Sequence, residues 1–337
     1  MLKGAVIGFG KIARTGHMPA YLSERISKKI KITSICDPDE TLKETISKEY
    51  PGIRFYKDPD EMFNKEIIDF VDICSPPLFH KHVIEKAIVN KKHILCEKPL
   101  SHNLSDSQKI SQSIKESKIK FSICHQYKYS PIWKEFKEFV ENGNNESGIF
   151  IQFNVYRTNA DNGFFKNNPS WRTNKKISGG GILSDTGVHY IYLSNWLMGK
   201  PLSVTACNTE LGSNNLEVED TSLIILEYER GIVQINLTWA ADRRENLAKA
   251  SSRNGSLVYM NNTLTSFQGE IRKTIEVPDA SDKKTYISLY ENLLDEFIGK
   301  IKDQDKANNS IDEALETIYV LDACYRAAKE KRTVVLC

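Results

Sequence analysis

Three side chains with acid–base chemistry occur in short motifs of this chain. Lys98 stands between Glu97 and Pro99, directly after a short apolar run. Asp185 and His189 are four residues apart and follow a run of glycines. On a helix this spacing places both side chains on one face, where a carboxylate can orient an imidazole and support its protonated form. Such a lysine, aspartate and histidine could move a proton to or from a substrate hydroxyl near neutral pH.

Each of these side chains also has a simpler structural explanation. An aspartate and a histidine four residues apart are often a solvated pair on a helix surface, and a lysine at a strand end is often only solvated. A glycine fingerprint at the start of the chain favours the chemical explanation. In a domain that opens in this way, a strand ending just before Lys98 emerges at the cofactor crevice.

The fingerprint is GFGKIA, residues 8–13, which follows an apolar strand and precedes a helical pattern. Gly8 permits the tight turn, Gly10 lets the backbone approach a pyrophosphate, and Ala13 allows close packing of helix on strand. The N-terminus of the helix then faces the anion. We therefore expect this loop, including Lys11 and Ile12, to bind a dinucleotide.

Asp37, at the end of the second predicted strand, bears on the choice between NAD and NADP. A carboxylate there can accept hydrogen bonds from the adenosine ribose hydroxyls and would repel a 2'-phosphate, so NAD is expected and NADP is disfavoured. The Asp37-Pro38-Asp39 run is also typical of a turn that leads into a helix, and both roles can hold. Arg14 could accept a 2'-phosphate and weaken the preference.

The first part of the chain alternates short apolar runs with longer helical patterns, which predicts a parallel, doubly wound sheet. The predicted strands are Lys3–Ile7, Ile30–Cys36, Phe70–Cys74, His93–Cys96 and Lys120–Cys124. The predicted helices are Thr15–Ser27, Asp39–Glu49, Lys81–Asn90 and Ser105–Ser117. We assign residues 1–124 to a dinucleotide-binding Rossmann domain.

After Pro131 the pattern changes to strands with period-two alternation, which predicts a second α/β domain with an open, mainly antiparallel sheet. The predicted strands are Ile149–Arg157, Ser203–Glu210, Thr221–Glu229 and Ile232–Trp239, with a turn at Asn254-Gly255. A helix is predicted from Ser184 to Met198, closed by Gly199. Two helices, Thr285–Lys302 and Ser310–Glu330, end the chain. We assign residues 125–285 to a substrate and oligomerisation domain.

The composition excludes several classes of protein. Lys+Arg 46 against Asp+Glu 44 gives a net charge of +2, too balanced for the basic surface that nucleic acids require. The seven cysteines form no C-x-x-C pair, which argues against a zinc site or a disulfide framework and favours a reducing cytosol. No run is long enough to span a membrane. We expect a cytoplasmic protein with no metal, nucleic-acid or membrane partner.

Taken together, the motifs resemble the glucose-fructose oxidoreductase, inositol dehydrogenase and rhizopine catabolism (Gfo/Idh/MocA) family over nearly the whole chain. The matching runs, in order, are GFGKIA, VDICSPPLFHKHVIEKAIVNKKHILCEKPLS, WR at Trp171-Arg172, GGGILSDTGVH and LDACYRAAKEKRTVVL. The resemblance implies that the C-terminal helices, residues 286–337, pack back on the first domain.

The resemblance also implies the roles of the three reacting groups. Lys98 would hydrogen-bond the reacting hydroxyl and lower its pKa, and His189 would take its proton. Asp185 would position both the substrate and the imidazole. A carbinol hydrogen would leave as hydride to the nicotinamide, and the reverse reaction would reduce a ketone. The peptide bond before Pro99 is expected to be cis.

Further residues are assigned by the same resemblance. Those expected near the cofactor are Ser75, Pro76, His80, Glu97 and Lys98, although Ser75-Pro76 could be only a turn and His80 could cap or pack a helix. Those expected near the substrate are Lys98, Tyr127, Lys128, Trp171, Arg172, Asp185 and His189, although Trp171 could belong to the core. The chain departs from the family at Gln126-Tyr127-Lys128, where many members carry Asn-Arg-Arg, and at Tyr192, where an aspartate is common.

Together with the motifs, the resemblance implies an NAD(P)-dependent dehydrogenase that acts on CH-OH groups, and the resemblance alone implies a sugar, cyclitol or sugar derivative, including nucleotide-linked sugars, as its substrate. A second possibility is a glycosidase that uses bound NAD for a transient oxidation and gives no net NADH. A third is a non-catalytic, dinucleotide-bound sensor or regulator. A homo-oligomer, a dimer or tetramer formed through the exposed sheet face, is also expected from the resemblance.

Overall fold

The computed structural model describes residues 1–142, 148–161, 171–212, 216–279, 283–303 and 308–336. The chain divides into two compact units. The first comprises Met1–Gln126 with Lys283–Leu315, and the second comprises Tyr127–Asp282 with Glu316–Cys337.

The sheet of the first unit is parallel throughout its described strands. These strands are β1 (Leu2–Ile7), β2 (Ile30–Cys36), β3 (Arg54–Tyr56), β4 (Phe70–Ile73), β5 (His93–Cys96) and β6 (Phe121–Ile123), in the order β3-β2-β1-β4-β5-β6. Every residue of β4 and β6 is buried, as expected for strands covered on both faces. The order reverses between β1 and β4, which confirms the predicted doubly wound fold.

The helices of the first unit differ from the prediction at the first crossover. The described helices are a π-helix at Ala13–His17 and α-helices at Met18–Leu22, Glu24–Ser27, Leu42–Glu49, Pro59–Lys65, Pro77–Val89, Leu104–Glu116 and Lys283–Lys302. The predicted single helix from Thr15 to Ser27 is wrong, because Ser23 is extended and its side chain accepts a hydrogen bond from the Ile26 amide. The Pro59–Lys65 helix and strand β3 were not predicted.

The sheet of the second unit is mixed, with one parallel pair among its described strands. These strands are β7 (Ile149–Tyr156), β8 (Ser203–Thr209), β9 (Thr221–Tyr228), β10 (Gly231–Thr238), β11 (Glu245–Ser252), β12 (Gly255–Met260), β13 (Thr263–Gln268), β14 (Ile271–Glu276) and β15 (Val334–Val335). Their order is β14-β13-β12-β11-β7-β10-β9-β8-β15. The β7–β10 pair is parallel and the other pairs are antiparallel, so the mainly antiparallel sheet is confirmed.

One face of this second sheet is covered by helices. The other helices of the described chain are Gln126–Tyr129 and Trp171–Thr173 (3₁₀), Leu183–Gly187 (π), and Pro131–Asn142, Lys175–Ser178, Val188–Met198 and Ser310–Glu330 (α). Trp133 packs edge-on against Phe153 of β7 and against Tyr190, with ring centroids 5.6 and 6.2 Å apart. On β9, buried residues alternate with exposed ones, so the opposite face of the sheet is open.

The C-terminal segment is divided between the two units. Residues up to Leu315 belong to the first unit, and the packing of residues 286–337 on the first domain stays a prediction. The later residues belong to the second unit, where β15 pairs with β8 and the Tyr325 hydroxyl donates to Glu219. Within the described residues, no helix combines the length and the apolar character needed to cross a bilayer.

Candidate active site

The glycine loop lies where β1 and β4 are neighbours. Gly8 has a φ of +89°, and a Cβ added there would come within 2.5 Å of the Ser75 backbone nitrogen, so only glycine fits. A Cβ added at Gly10 would meet no atom within 4 Å. The fold therefore requires Gly8, whereas Gly10 leaves space beside the loop, as backbone contact with a pyrophosphate demands. Lys11 and Ile12 lie half-buried in the same loop.

Alanine at these two glycines should have different effects. Gly8→Ala is expected to lower the free energy of unfolding by about 2–4 kcal/mol, because it adds both a backbone strain and a clash. Gly10→Ala should leave the stability within about 0.5 kcal/mol but weaken NAD binding about tenfold or more. Urea unfolding and fluorescence titration with NAD measure the two effects. Equal NAD affinity of Gly10→Ala and the unchanged protein would contradict a pyrophosphate at this loop.

Asp37 has a structural role in the same region. One carboxylate oxygen accepts the Phe9 amide at 2.7 Å, and the other accepts the Asp39 amide at 2.9 Å. The side chain therefore links β2 to the glycine loop, and its remaining lone pairs can still accept ribose hydroxyls. Arg14, considered above as a partner for a 2'-phosphate, lies 3.7 Å from Glu49.

His80 connects the chain segments that follow β4 and β5. The ring is fully buried, with Nε2 at 2.8 Å from the Ser75 carbonyl and Nδ1 at 3.0 Å from that of Pro99. Burial lowers its pKa. Pro76 caps the helix that carries His80, and the Lys98–Pro99 peptide bond is cis, as expected. These contacts give His80 a packing role, and its contact with the cofactor stays a prediction.

Glu97 belongs to a buried cluster centred on His17. His17 Nδ1 lies 2.7 Å from Asp72, and His17 Nε2 lies 2.9 Å from Glu97. The hydroxyl of Tyr21 donates to Asp72 at 2.9 Å, and that of Tyr290 donates to Glu97 at 2.7 Å. Burial alone would lower the pKa of His17, but the Asp72 carboxylate outweighs it and holds that pKa well above its usual value. Burial would raise the pKa of Glu97, but the hydrogen bond and charge of His17, together with Lys98 and Tyr290, outweigh burial and lower it.

These shifts predict how stability depends on pH. The lowered pKa of Glu97 contributes stability above its ordinary value of 4.5, and this is lost as the pH falls through the folded value. The raised pKa of His17 contributes stability that is complete below 6.5 and is lost as the pH rises through its folded value. Glu97→Gln should therefore flatten the acid limb of a thermal-unfolding profile taken between about pH 3 and about pH 9. An acid limb as steep as that of the unchanged protein would contradict an ionised Glu97.

In the second unit, Asp185 and His189 have distinct neighbours. Asp185 lies in the Leu183–Gly187 π-helix, and one of its carboxylate oxygens accepts a hydrogen bond from Arg172 Nε at 3.0 Å. Arg172 also stacks over the Trp171 ring at 4.5 Å. His189 is 8% exposed, and Tyr127 stacks on it with ring centroids 4.4 Å apart and planes inclined by 14°. The structure thus joins four of the predicted substrate residues in two pairs, a charged pair and an aromatic one.

The glycine run before this helix owes its composition to Glu219. Its carboxylate accepts the amides of Gly181 at 2.9 Å and Leu183 at 3.2 Å, and the hydroxyl of Tyr325 at 2.8 Å. A Cβ on Gly180 would lie 1.8 Å from the Tyr325 hydroxyl, and one on Gly181 would lie 1.8 Å from the Glu219 carbonyl. Burial raises the pKa of Glu219. This glutamate therefore holds the start of the helix that bears Asp185.

The structure places the predicted reacting groups in both units. Lys98 belongs to the first, whereas Asp185 and His189 belong to the second. Lys128 also lies in the second unit, with its ammonium 5.1 Å from the Tyr129 ring centroid. Sequence reasoning missed the residues that support the site, which are the buried His17, Asp72 and Tyr290 and the half-buried Glu219 and Tyr325. The available signals were a histidine one helical turn beyond the fingerprint and the family-like runs that contain Asp72 and Tyr325.

A parallel doubly wound sheet with a glycine loop at its switch point defines a dinucleotide-binding α/β protein. The sequence profile of the oxidoreductase family with an NAD-binding Rossmann fold matches residues 2–125. The profile of that family's C-terminal alpha/beta domain matches residues 150–336. The chain therefore belongs to the Gfo/Idh/MocA oxidoreductase family, and its first unit carries the NAD-binding fold.

Individual relatives are distant. An uncharacterized protein of Saccharomyces cerevisiae is 27% identical over 219 residues, which cover 62% of this chain and 59% of that protein. The D-apiose dehydrogenase of Rhizobium rhizogenes is 23% identical and aligns over 99% of this chain and 97% of its own length. The solved structure of levoglucosan dehydrogenase, in complex with NADH and L-sorbose, has a TM-score of 0.86 at 19% identity, covering 100% of this chain and 99% of that one.

Proposed function

We propose that this protein is an NAD-dependent dehydrogenase that interconverts a secondary hydroxyl and a ketone on a sugar, a cyclitol or a derivative of these. The observation that carries the proposal is the occurrence, in family order, of the glycine loop, Lys98 and the Asp185–His189 helix in a chain of this oxidoreductase family. The named activities of the D-apiose and levoglucosan dehydrogenases support a polyhydroxylated substrate.

The residues of this chain have separate tasks in the proposed reaction. Lys98 donates a hydrogen bond to the reacting oxygen and stabilises the negative charge that develops there. His189 takes the hydroxyl proton, with its ring held by the face of Tyr127. Asp185 binds the substrate, and Arg172 fixes one of its carboxylate oxygens. NAD, when bound, accepts the hydride and returns it in the reverse direction.

Asp37 supports NAD as the preferred cofactor. Its carboxylate follows β2 and is fixed by two backbone amides, so it can accept the ribose hydroxyls without moving. A 2'-phosphate would bring negative charge next to this group. Lys11 and Arg14 are the cations of the same loop, and Arg14 already faces Glu49.

A screen of sugars, cyclitols and sugar nucleotides for NADH fluorescence tests the proposal. The purified protein should form NADH with at least one polyol and should use NAD in preference to NADP. Consumption of a glycoside without net NADH would point instead to a transient oxidation. Binding of NAD with no turnover of any polyol or ketone would contradict an enzyme of this class.

We also propose that the open face of the second sheet forms a homo-oligomer. Its outward side chains include the exposed Phe150, Leu223, Ile225 and Ile232. Amide side chains continue this surface at its centre, where Gln152 donates to Gln234 and Asn236 donates to Asn154. Apolar and amide groups without net charge suit contact with a second copy.

A charge on this face should therefore separate the subunits. Ile225→Asp is expected to lower the mass measured by light scattering to that of a smaller species, because an unpaired carboxylate is costly in an apolar contact. Ile67→Asp is the matched control, since Ile67 is 85% exposed in the first unit. If the protein without any substitution is a monomer, this face is not an interface. An oligomer that persists in Ile225→Asp would also exclude this face.

A further inference from the structure

The hydrogen bonds around His17 determine its charge. Both ring nitrogens face carboxylate oxygens, at 2.7 Å from Asp72 and 2.9 Å from Glu97. A neutral imidazole has one donor and one acceptor, whereas an ionised carboxylate only accepts. Two bonds to ionised carboxylates therefore require both ring nitrogens to be protonated. The alternative is a neutral imidazole with one of the two acids protonated. The other hydrogen bonds of Asp72 and Glu97 distinguish between these two states.

Those contacts favour two ionised carboxylates. Asp72 accepts a hydrogen bond from the Tyr21 hydroxyl at 2.9 Å, and the Cys74 thiol lies 3.6 Å from the other oxygen of Asp72. One oxygen of Glu97 accepts a hydrogen bond from the Tyr290 hydroxyl at 2.7 Å, and its second oxygen accepts one from the Lys98 amide at 3.2 Å. The Lys98 amide can only donate, and the two phenols and the thiol each have a proton to donate, so every one of these contacts is satisfied without a carboxyl proton.

The cluster also links three functional segments of the first unit. His17 ends the π-helix that begins at Ala13 of the glycine loop. Asp72 lies in β4, and Glu97 immediately follows β5 and precedes Lys98. Asp72 and His17 are fully buried and Glu97 is 5% exposed, so water does not screen these contacts. A displacement of the glycine-loop helix must therefore be transmitted to the residue before Lys98.

We propose that His17 is a positioning residue whose imidazolium clamps Glu97 against the Lys98 amide and so fixes the direction of the Lys98 side chain. The proposal rests on the function proposed above, because it assumes that Lys98 contacts the reacting oxygen. It adds a link between the dinucleotide loop and the reacting lysine, through the buried His17–Glu97 contact and the part-buried hydrogen bond from the Lys98 amide. Tyr290, from the Lys283–Lys302 helix, donates to Glu97 Oε1, the oxygen that also faces His17, whereas the Lys98 amide donates to Oε2.

The charged and titratable groups that face the imidazole are all members of the first unit. They are Asp72 and Cys74 from the β4 segment, Glu97 from the β5 segment, Cys124 after β6, Tyr290 from the Lys283–Lys302 helix, and Tyr21 and Lys98, which bond to the two carboxylates. Among the described residues, His17 with Asp72 and Cys74, and His17 with Glu97 and Cys124, could also surround a metal ion. The direct hydrogen bonds favour a proton-linked cluster over a metal.

The first test does not depend on turnover. In protein labelled with ¹⁵N-histidine, NMR should show both His17 ring nitrogens protonated at about pH 7, as expected for an imidazolium. Loss of these signals in His17→Gln assigns them, and a shift in Tyr21→Phe assigns them if that variant does not fold. A neutral ring, or a ring nitrogen bound to a metal found in the purified protein, would overturn the proposal.

The second test compares two variants that each lose one phenol oxygen. Tyr290→Phe removes a donor from Glu97, next to Lys98, whereas Tyr21→Phe removes a donor from Asp72, on the far side of the imidazole. Tyr290→Phe should lower kcat about tenfold, with the NAD Kd changed less than about twofold, because a small displacement of a reacting group is costly. Both variants should lower the unfolding temperature by similar amounts, because each loses one buried hydrogen bond, but Tyr21→Phe should leave kcat within about twofold.

These measurements distinguish a failure of the proposed positioning role of His17 from a failure of the proposed dehydrogenase function. Equal kcat changes in the two variants, at equal loss of stability, would make the cluster a structural feature only and would overturn the positioning role. If the unchanged protein turns over no polyol, the proposed function fails, and the NMR signature still reports the state of His17. A kcat loss confined to Tyr290→Phe, together with an imidazolium signal, supports the clamp.

Discussion

Replacing Lys98 with alanine should lower turnover by about 10²–10⁴-fold, the range expected for loss of one acid–base or charge-stabilising group. The side chain is half-buried, and its backbone amide donates to Glu97 at 3.2 Å. Removal of the ammonium leaves the developing negative charge on the substrate oxygen without its donor. The glycine loop and Asp37 are not changed, so the NAD Kd should stay within about threefold.

Steady-state kinetics and a fluorescence titration with NAD separate these two quantities. Lys28→Ala is the matched control, because Lys28 is 71% exposed and forms a helix-surface pair with Glu24. This control should leave both turnover and NAD binding unchanged. Unchanged turnover in Lys98→Ala would remove this lysine from the mechanism, and a parallel loss of NAD affinity would assign it to cofactor binding.

Gly181→Ala should be the most destabilising single substitution in the second unit's glycine run. The new Cβ would lie 1.8 Å from the Glu219 carbonyl oxygen, a backbone atom that cannot move by changing rotamer. We expect a loss of about 3 kcal/mol or more in the free energy of unfolding. The same displacement disturbs the hydrogen bond from the Leu183 amide to Glu219, so turnover should fall with stability.

Gly148→Ala provides the control for this prediction. A Cβ there would lie 3.7 Å from the Arg230 carbonyl oxygen, an ordinary van der Waals contact. Its effect on stability, measured by urea unfolding at one pH, should stay within about 0.5 kcal/mol. Similar stabilities of the two variants would mean that the Gly181 backbone and Glu219 can move apart without cost.

The sequence allowed the elements that define the first unit to be predicted well, because their signals are local. Strands β2 and β5 occur at the predicted residues, and the glycine loop follows β1. Short elements were missed where the pattern is weak. Strand β3 has three residues, and only its last is buried, so it has no apolar run to detect.

The same limit explains the errors in the second unit. The predicted strands agree with β7 to β10 within two residues at each end, but β11 to β14 were not predicted, and only the turn at Asn254-Gly255 between β11 and β12 was. The parallel pairing of β7 with β10 brings together segments separated by the helices between them, and no local pattern encodes it. Polar strands such as β14, in which every residue is exposed, lack the alternation on which strand prediction depends.

In the candidate site, too, short motifs could be recognised in the sequence, whereas contacts between distant segments could not. Motifs identified Lys98, Asp185 and His189, because each of the two motifs, Glu97-Lys98-Pro99 and the Asp185–His189 run, spans only a few residues. The pairing of Arg172 with Asp185 and the stacking of Tyr127 on His189 arise only when separate segments fold together. The roles of these groups in one reaction stay predictions that the variants above test.

The sequence by itself determined the doubly wound class of the first unit, the dinucleotide loop and the identity of the three proposed reacting groups. Hydrophobic periodicity and glycine spacing carry the fold class and the loop along the chain, and short motifs that resemble those of the family point to the three groups. Only the tertiary structure decided which buried groups support them, such as His17 between two carboxylates and Glu219 at the glycine run. Burial and hydrogen-bond partners depend on residues far apart in sequence, so they become visible only in the folded chain.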